Sequence, residues 1–288
     1  MFKVAILGCE NSHAREFLKG VLWNHIVDDI EFVGVYSDVR EAAEKLHNDF
    51  GVYVAESYDE FVGKVDGIIV TARHGDYHYK YAKPYIASGI PMFIDKPITC
   101  TEEDAKSFMA ELKEHQIRVC GGTVCVHTDH VQNLRKLVEE GEYGKVLGGY
   151  LRTIVDMENP WGDFLFYSQH LAQVMTHIFG WQPKSVQVFK NHPTYTCVVR
   201  YEEYDVPIVY VQGSNYYYAG VSFEKAFIGD EYNVNGCFER EFMDFYDLLN
   251  GKEQKQSYEE FFAPVYVLNA IDRSIKSGKE ELIHSSEE

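Results

Sequence analysis

The sequence predicts an α/β chain in two parts: a doubly wound parallel sheet over residues 1–122, then an α+β domain over residues 123–288 with an open, mostly antiparallel sheet. Three observations predict it. Short apolar runs alternate with helical stripes through the first 120 residues, the pattern of parallel strands joined by crossover helices. After Gly121-Gly122 long runs rich in Val, Tyr and Thr take over, as suits half-buried strands. The length, 288 residues, exceeds what one core usually organises.

In chain order, residues 3–7 form a buried strand ending at Gly8, and Ala14, Phe17, Leu18, Val21 and Leu22 give the next helix its core stripe. Strands follow at residues 31–36, 52–55, 67–71, 91–94 and 117–120. Residues 40–50 are helical, and so is the pattern running to Gly89, where Pro84 is expected to kink or restart the helix. Thr101 with Asp104 has the form of a capping box, and Ala105, Phe108, Met109 and Leu112 supply the stripe behind it. In the second part a helix over residues 128–140 stops at Gly141, and strands are expected at 146–155, 184–190, 195–201, 208–213 and 221–228. Leu171, Val174, Met175 and Ile178 mark an embedded helix, and helices at 239–249 and 258–276 end the chain. The acidic tail, residues 285–288, is expected to fray.

Composition excludes some functions. A formal charge of −18 with no Lys/Arg cluster argues against nucleic acid as a partner. The same charge means that a phosphate-bearing ligand must be drawn in by local backbone amides against a repulsive field. The six cysteines, Cys9, Cys100, Cys120, Cys125, Cys197 and Cys237, form no C-x-x-C pair, and the first strand begins at once. Reduced thiols and a cytoplasmic setting are the expectation. No apolar run approaches the roughly 20 residues that span a bilayer, so no membrane partner is expected.

A strand, a glycine and a helix at the chain start are the parts of a dinucleotide-binding turn. Here the turn reads Gly8-Cys9-Glu10-Asn11-Ser12-His13; of the three glycines of G-x-G-x-x-G only the first is present. A plain strand–helix junction is the competing reading. Asn11 and Ser12 are good N-cap residues, and a helix N-terminus remains an anion site. Gly8, Asn11, Ser12 and His13 are therefore expected to hold a pyrophosphate, with Glu10 turned aside. Asp38, at the end of the second strand, suits the ribose hydroxyls of NAD, although it can instead cap the next helix. Arg40 leaves NADP possible.

From residue 65 to 97 the chain carries Gly67-Ile68-Ile69-Val70-Thr71, a turn with His74 and His78, a helix, Ala87-Ser88-Gly89, a strand, and Asp95-Lys96-Pro97. This order resembles the Gfo/Idh/MocA family of glucose-fructose oxidoreductase, inositol dehydrogenase and their relatives, in which the last motif is Glu-Lys-Pro. Gly141-Glu142-Tyr143-Gly144-Lys145 resembles the family's link into its second domain, and the helix around His170 resembles its active-site helix. The resemblance implies a Rossmann-type first domain that binds NAD, with Thr71, His74, His78, Asp95 and Lys96 at the cofactor. It implies hydride transfer between nicotinamide and a hydroxylated small molecule, with Lys96 on the substrate hydroxyl and His170 as base. It also implies a homodimer or homotetramer packed through the second sheet, where Tyr216, Tyr217, Tyr218 and Phe223 supply aromatics. The family's helix reads Asp-x-x-x-His, an i,i+4 pair on one face; here Phe166 stands in place of the Asp. His127, Arg152, Asp156 and Trp161 are the candidate substrate residues. A nicotinamide-binding sensor without dehydrogenase activity is the alternative. The pairs His74/His78 and His127/His130 lack an H-E-x-x-H or C-x-x-C frame, and no metal is expected.

Overall fold

The apolar runs near the chain start form a parallel sheet because their side chains are buried on both faces. In the computed structural model, which describes residues 1–284, the first sheet contains β1 (Phe2–Leu7), β2 (Ile30–Tyr36), β3 (Gly67–Val70), β4 (Met92–Asp95) and β5 (Val119–Gly122). Their order is β2-β1-β3-β4-β5 and every pair is parallel. Helices α1 (Ser12–Leu22), α2 (Arg40–Phe50), α3 (Asp76–Ile86) and α4 (Glu102–Glu114) make the connections. Thr101 caps α4 by accepting from the Asp104 amide at 3.1 Å. Of the strand expected at 52–55 there remains a single bridge, Val54 to Val35. Pro84 does not restart a helix; it lies inside α3 near its end. The acidic tail lies outside the described residues.

The chain divides into two compact units, residues 1–122 with 236–258, and residues 123–235 with 259–288. The chain first crosses between the units at 122/123, and residues 236–258 belong with the first. Helix α7 (Cys237–Leu249) returns to the first unit and brings Phe242 and Phe245 into the core of Phe17, Phe32 and Phe93. Gly67 makes room for it, since a Cβ there would lie 2.7 Å from Leu249 Cδ2 and 2.9 Å from Phe245 Cζ. Each fully buried Phe is worth roughly 1.5–3 kcal/mol, enough to pin a 13-residue helix to this sheet.

The second unit holds a seven-stranded sheet in the order β11-β10-β6-β9-β8-β7-β12. Its strands are β6 (Val146–Val155), β7 (Ser185–Asn191), β8 (Thr194–Arg200), β9 (Asp205–Gln212), β10 (Tyr217–Phe223), β11 (Phe227–Tyr232) and β12 (Glu281–Leu282). Only β6 and β9 pair in parallel. The single strand expected over 221–228 is instead the β10–β11 hairpin, closed by Phe223 N donating to Ala226 O at 2.8 Å. The turn carries neither Gly nor Pro, which is why its sequence did not announce it. Helices α5 (Asp129–Glu140), α6 (Leu165–Phe179) and α8 (Tyr258–Ser277) share this unit's core with the sheet. Side chains alternate along each strand. Tyr217 and Phe223 consequently join the core, while Tyr216 is 61% exposed and, with Tyr150, Arg152, Tyr218 and Glu231, lines a depression on the outward face. Among the described residues no helix is long and apolar enough to cross a membrane.

Candidate cofactor and catalytic site

The turn after β1 is built by close contact. Gly8 has φ +74°, and a Cβ would sit 2.5 Å from the Ala72 Cα, so both conformation and space demand glycine here. The Gly8 and Cys9 amides donate to Tyr36 O at 2.7 and 3.1 Å, and Thr71 Oγ1 donates to Gly8 O at 3.0 Å. Asn11 is the N-cap of α1, its Oδ1 accepting from Ser12 N at 2.7 Å. The first-turn amides of α1 follow this cap, where the sequence led one to look for an anion site. Glu10, in place of the second glycine, is turned sideways. Its carboxylate accepts from Arg73 N at 2.9 Å and Ser37 Oγ at 2.6 Å, tying together the segments that follow β3 and β2.

Asp38 does not cap α2: the N-cap there is Val39, with no side-chain cap bond. The Asp38 carboxylate instead accepts from the hydroxyls of Tyr36 and Tyr81. Burial pushes this carboxyl up, but the two hydroxyls and the Lys80 charge outweigh it and hold it below the ordinary range. Asp38 is therefore an ionised, oriented carboxylate at the end of β2. Arg40, the residue that leaves NADP open, pairs with Glu44 at 3.4 Å and Glu56 at 3.2 Å.

Asp95 and Lys96 end β4. Asp95 is wholly buried; its Oδ1 accepts from Lys96 N and its Oδ2 from Asn11 Nδ2, both at 2.7 Å. One carboxylate thereby joins the phosphate turn to the Lys96 main chain. Burial pushes Asp95 up to about 6, against the opposing pull of His13 and Lys96. Three residues expected at the cofactor, His78, Asp95 and His13, have buried side chains. His78 is 0% exposed, with Nε2 2.7 Å from Ala72 O, and burial takes it down to about 4, so it is a neutral support for the Ala72 turn and lines no ligand surface. The Asp95 and His13 side chains are likewise buried. His74 is partly exposed, with Nδ1 3.5 Å from Asp76 Oδ2 and 3.9 Å from Cys100 Sγ. These three residues offer ligand atoms within 4.8 Å of one another. Burial and Asp76 push the Cys100 thiol far up.

In the second unit, α6 carries His170, 7% exposed. Its Nδ1 lies 2.6 Å from Thr123 Oγ1 and 3.7 Å from Cys125 Sγ. Thr123 is fixed in turn: Gln173 Oε1 accepts from Thr123 N at 2.8 Å, and Thr123 Oγ1 accepts from Cys125 N at 3.1 Å. The group that orients the imidazole is thus a threonine from the segment after β5. Phe166 is buried in edge contact with Tyr167, ring centroids 4.7 Å apart. His127 ends the short 3-10 turn Val124–His127 and is partly exposed. Asp156 and Trp161 lie in the loop between β6 and α6; Asp156 accepts from Glu158 N at 3.2 Å and Asn159 Nδ2 at 3.1 Å, and Trp161 N donates to Asn159 Oδ1 at 3.0 Å. Arg152 does not join them. It belongs to the outward face, donating to Tyr216 O at 2.8 Å and Ser214 Oγ at 2.6 Å, whereas Leu151, Thr153 and Val155 alternate toward the core that contains α6.

Sequence reasoning missed Thr123, Tyr81 and Glu241. Glu241 had a legible signal: it is an acidic residue at i+4 between Cys237 and Phe245 on the apolar stripe of its helix. Thr123 and Tyr81 had none, since each is brought to its partner only by tertiary packing.

Residues 2–123 match the model described as oxidoreductase family, NAD-binding Rossmann fold, GFO_IDH_MocA. The matched residues lie almost entirely in the first unit, and they carry an NAD-binding Rossmann fold. An uncharacterized oxidoreductase of Streptococcus pneumoniae serotype 4 is 23% identical over 210 residues, 67% of this chain, and the chain spans 56% of that relative's length. The whole chain has the fold of several solved enzymes. Scyllo-inositol dehydrogenase from Lactobacillus casei with bound NAD(H) and scyllo-inositol superposes with TM-score 0.85 at 14% identity, over 98% of this chain and 99% of that one. Myo-inositol 2-dehydrogenase from Lactobacillus plantarum gives the same score and identity over 98% and 99%. GenD2 from gentamicin A biosynthesis, in complex with NAD, gives 0.85 at 13% over 99% and 97%.

Proposed function

We propose that this protein is an NAD-dependent dehydrogenase acting on a CH–OH group of a sugar, polyol or related hydroxylated small molecule. The observation that carries the reading is the Asp95 carboxylate, which joins Asn11 of the dinucleotide turn to Lys96 at the end of β4. The residues present fit NAD: the turn is packed so closely at Gly8 that a Cβ would fill it, the α1 amides face an anion site, and Asp38 presents an ionised carboxylate. When bound, NAD supplies the hydride acceptor. In our reading Lys96 orients the substrate hydroxyl by a charge-assisted hydrogen bond, and His170, oriented by Thr123, is the general base. His127, Asp156 and Trp161 contribute to substrate binding. The six cysteines are thiols, which supports a cytoplasmic setting.

The test is oxidation of a panel of inositols, sugars and sugar acids, followed by NADH absorbance. Activity with at least one is expected, and none across the panel would refute the dehydrogenase. NAD is expected to bind more tightly than NADP, because Asp38 repels a 2′-phosphate and Arg40 is held by Glu44 and Glu56. Calorimetric titration with both dinucleotides checks this, and tighter NADP binding would sink the Asp38 argument.

The outward sheet face, with Tyr150, Tyr216 and Tyr218 around Arg152, supports a homodimer or homotetramer. Light scattering should give two or four times the single-chain mass; a monomer at every concentration overturns this.

A further inference from the structure

His13 occupies a position where a dinucleotide turn usually has glycine. Its imidazole is buried, with a carboxylate facing each ring nitrogen: Nδ1 lies 3.2 Å from Asp95 Oδ2, and Nε2 lies 3.3 Å from Glu241 Oε2 of α7. Both carboxylates are 0% exposed. The other charges acting on the ring are Lys96, just past β4, and Glu16, on α1 itself. Phe17 and Phe238 close its sides, with ring centroids 5.9 and 4.9 Å away.

A neutral imidazole has one N–H and one lone pair, and an ionised carboxylate only accepts. Two carboxylates can satisfy both nitrogens only if the set holds one proton more than a neutral ring between two carboxylates. Burial holds the His13 ring below the ordinary imidazole range against the pull of Asp95, and it pushes the Asp95 carboxyl up, so the proton is held within the set and not fixed on the ring. With it, Lys96, His13, Asp95 and Glu241 sum to zero charge. Without it they sum to −1, beneath a turn that must hold a pyrophosphate in a chain already at −18. Asp95 also grips Asn11 Nδ2 and Lys96 N, so its charge and placement reach both ends of the seat.

We propose that His13 is a positioning residue of the dinucleotide seat: clamped between Asp95 and Glu241, it balances their buried charge, keeps Asp95 on Asn11 and Lys96, and makes dinucleotide affinity depend on a proton held in this set. The sign follows from the charge count. As pH rises the proton is lost, negative charge appears beside the phosphates, and affinity falls. The value of about 6 to which burial pushes Asp95 puts the loss near neutrality. The inference rests on the NAD seat assigned above, and its test reads binding alone. A chain that oxidises no polyol yet shows the expected profile would sink the dehydrogenase reading and leave this one standing.

The experiment is calorimetric titration of the full chain with NAD from about pH 6 to about pH 9. Wild-type affinity is expected to fall on the order of tenfold, the effect of one poorly screened charge near a pyrophosphate. Glu241→Gln withdraws one negative charge and keeps a buried hydrogen-bonding side chain. Its profile should be flat, with wild-type low-pH affinity retained at high pH. His13→Ala should bind weakly throughout, and His13→Ala with Glu241→Gln should regain affinity because charge balance returns. If His13→Ala fails to fold by circular dichroism, Glu241→Gln alone decides. A flat wild-type profile, a wild-type slope in Glu241→Gln, or a folded double variant no better than His13→Ala would each overturn the proposal.

Discussion

His170→Ala is expected to lower turnover by roughly 10²- to 10⁴-fold, the usual contribution of a positioned general base. NAD affinity should stay near wild type, because His170 belongs to the second unit and the dinucleotide turn to the first. Steady-state kinetics on the best substrate of the panel, with calorimetry for the cofactor, checks both halves. The structure sharpens the expectation. Phe166 removes the carboxylate that the resemblance led one to look for, and Thr123 Oγ1 stands 2.6 Å from the imidazole instead. A hydroxyl orients a ring but does not support its positive form as a carboxylate does. Turnover in His170→Ala equal to wild type would remove His170 from the mechanism.

Lys96→Ala is expected to cost a further large factor, on the order of 10²- to 10³-fold in turnover, as when a preorganised charged donor is withdrawn from developing charge. It should differ from His170→Ala in one respect: NAD affinity should also weaken. Lys96 is 4% exposed, its main chain is bonded to Asp95, and its charge acts on both Asp95 and His13. Removing it leaves the buried carboxylates short of a cation. Lys96→Arg keeps the charge but not the compact ammonium, and should restore binding more than turnover. Unchanged NAD affinity in Lys96→Ala would mean that Lys96 faces substrate alone.

The sequence by itself determined the elements that local pattern encodes. Fully apolar runs between helical stripes specify buried parallel strands, so β1, β3 and β4 fall where residues 3–7, 67–71 and 91–94 placed them to within a residue or two. Asn11, Thr101 and Thr128 mark helix starts because their side chains satisfy amides one or three positions ahead. Asp95-Lys96-Pro97 was legible as a motif for the same reason: its parts are contiguous.

Tertiary structure alone decided what depends on distant partners. An amphipathic stripe records that α7 must bury one face, not which sheet receives it, and Gly67 meets Phe245 only after the chain has turned back. Glu10, an apparent obstacle to phosphate, becomes a tie between Arg73 and Ser37 once β1, β2 and β3 lie side by side. His78 read as a ligand because its position in the motif suggested one, and burial made it a support. His13 reads as a misplaced glycine until Glu241 arrives from 228 positions along the numbering to face its second nitrogen at 3.3 Å. Local pattern encodes hydrogen bonds and apolar periodicity within a few residues; the charge balance of a buried site is set by whichever distant side chains share its low-dielectric space.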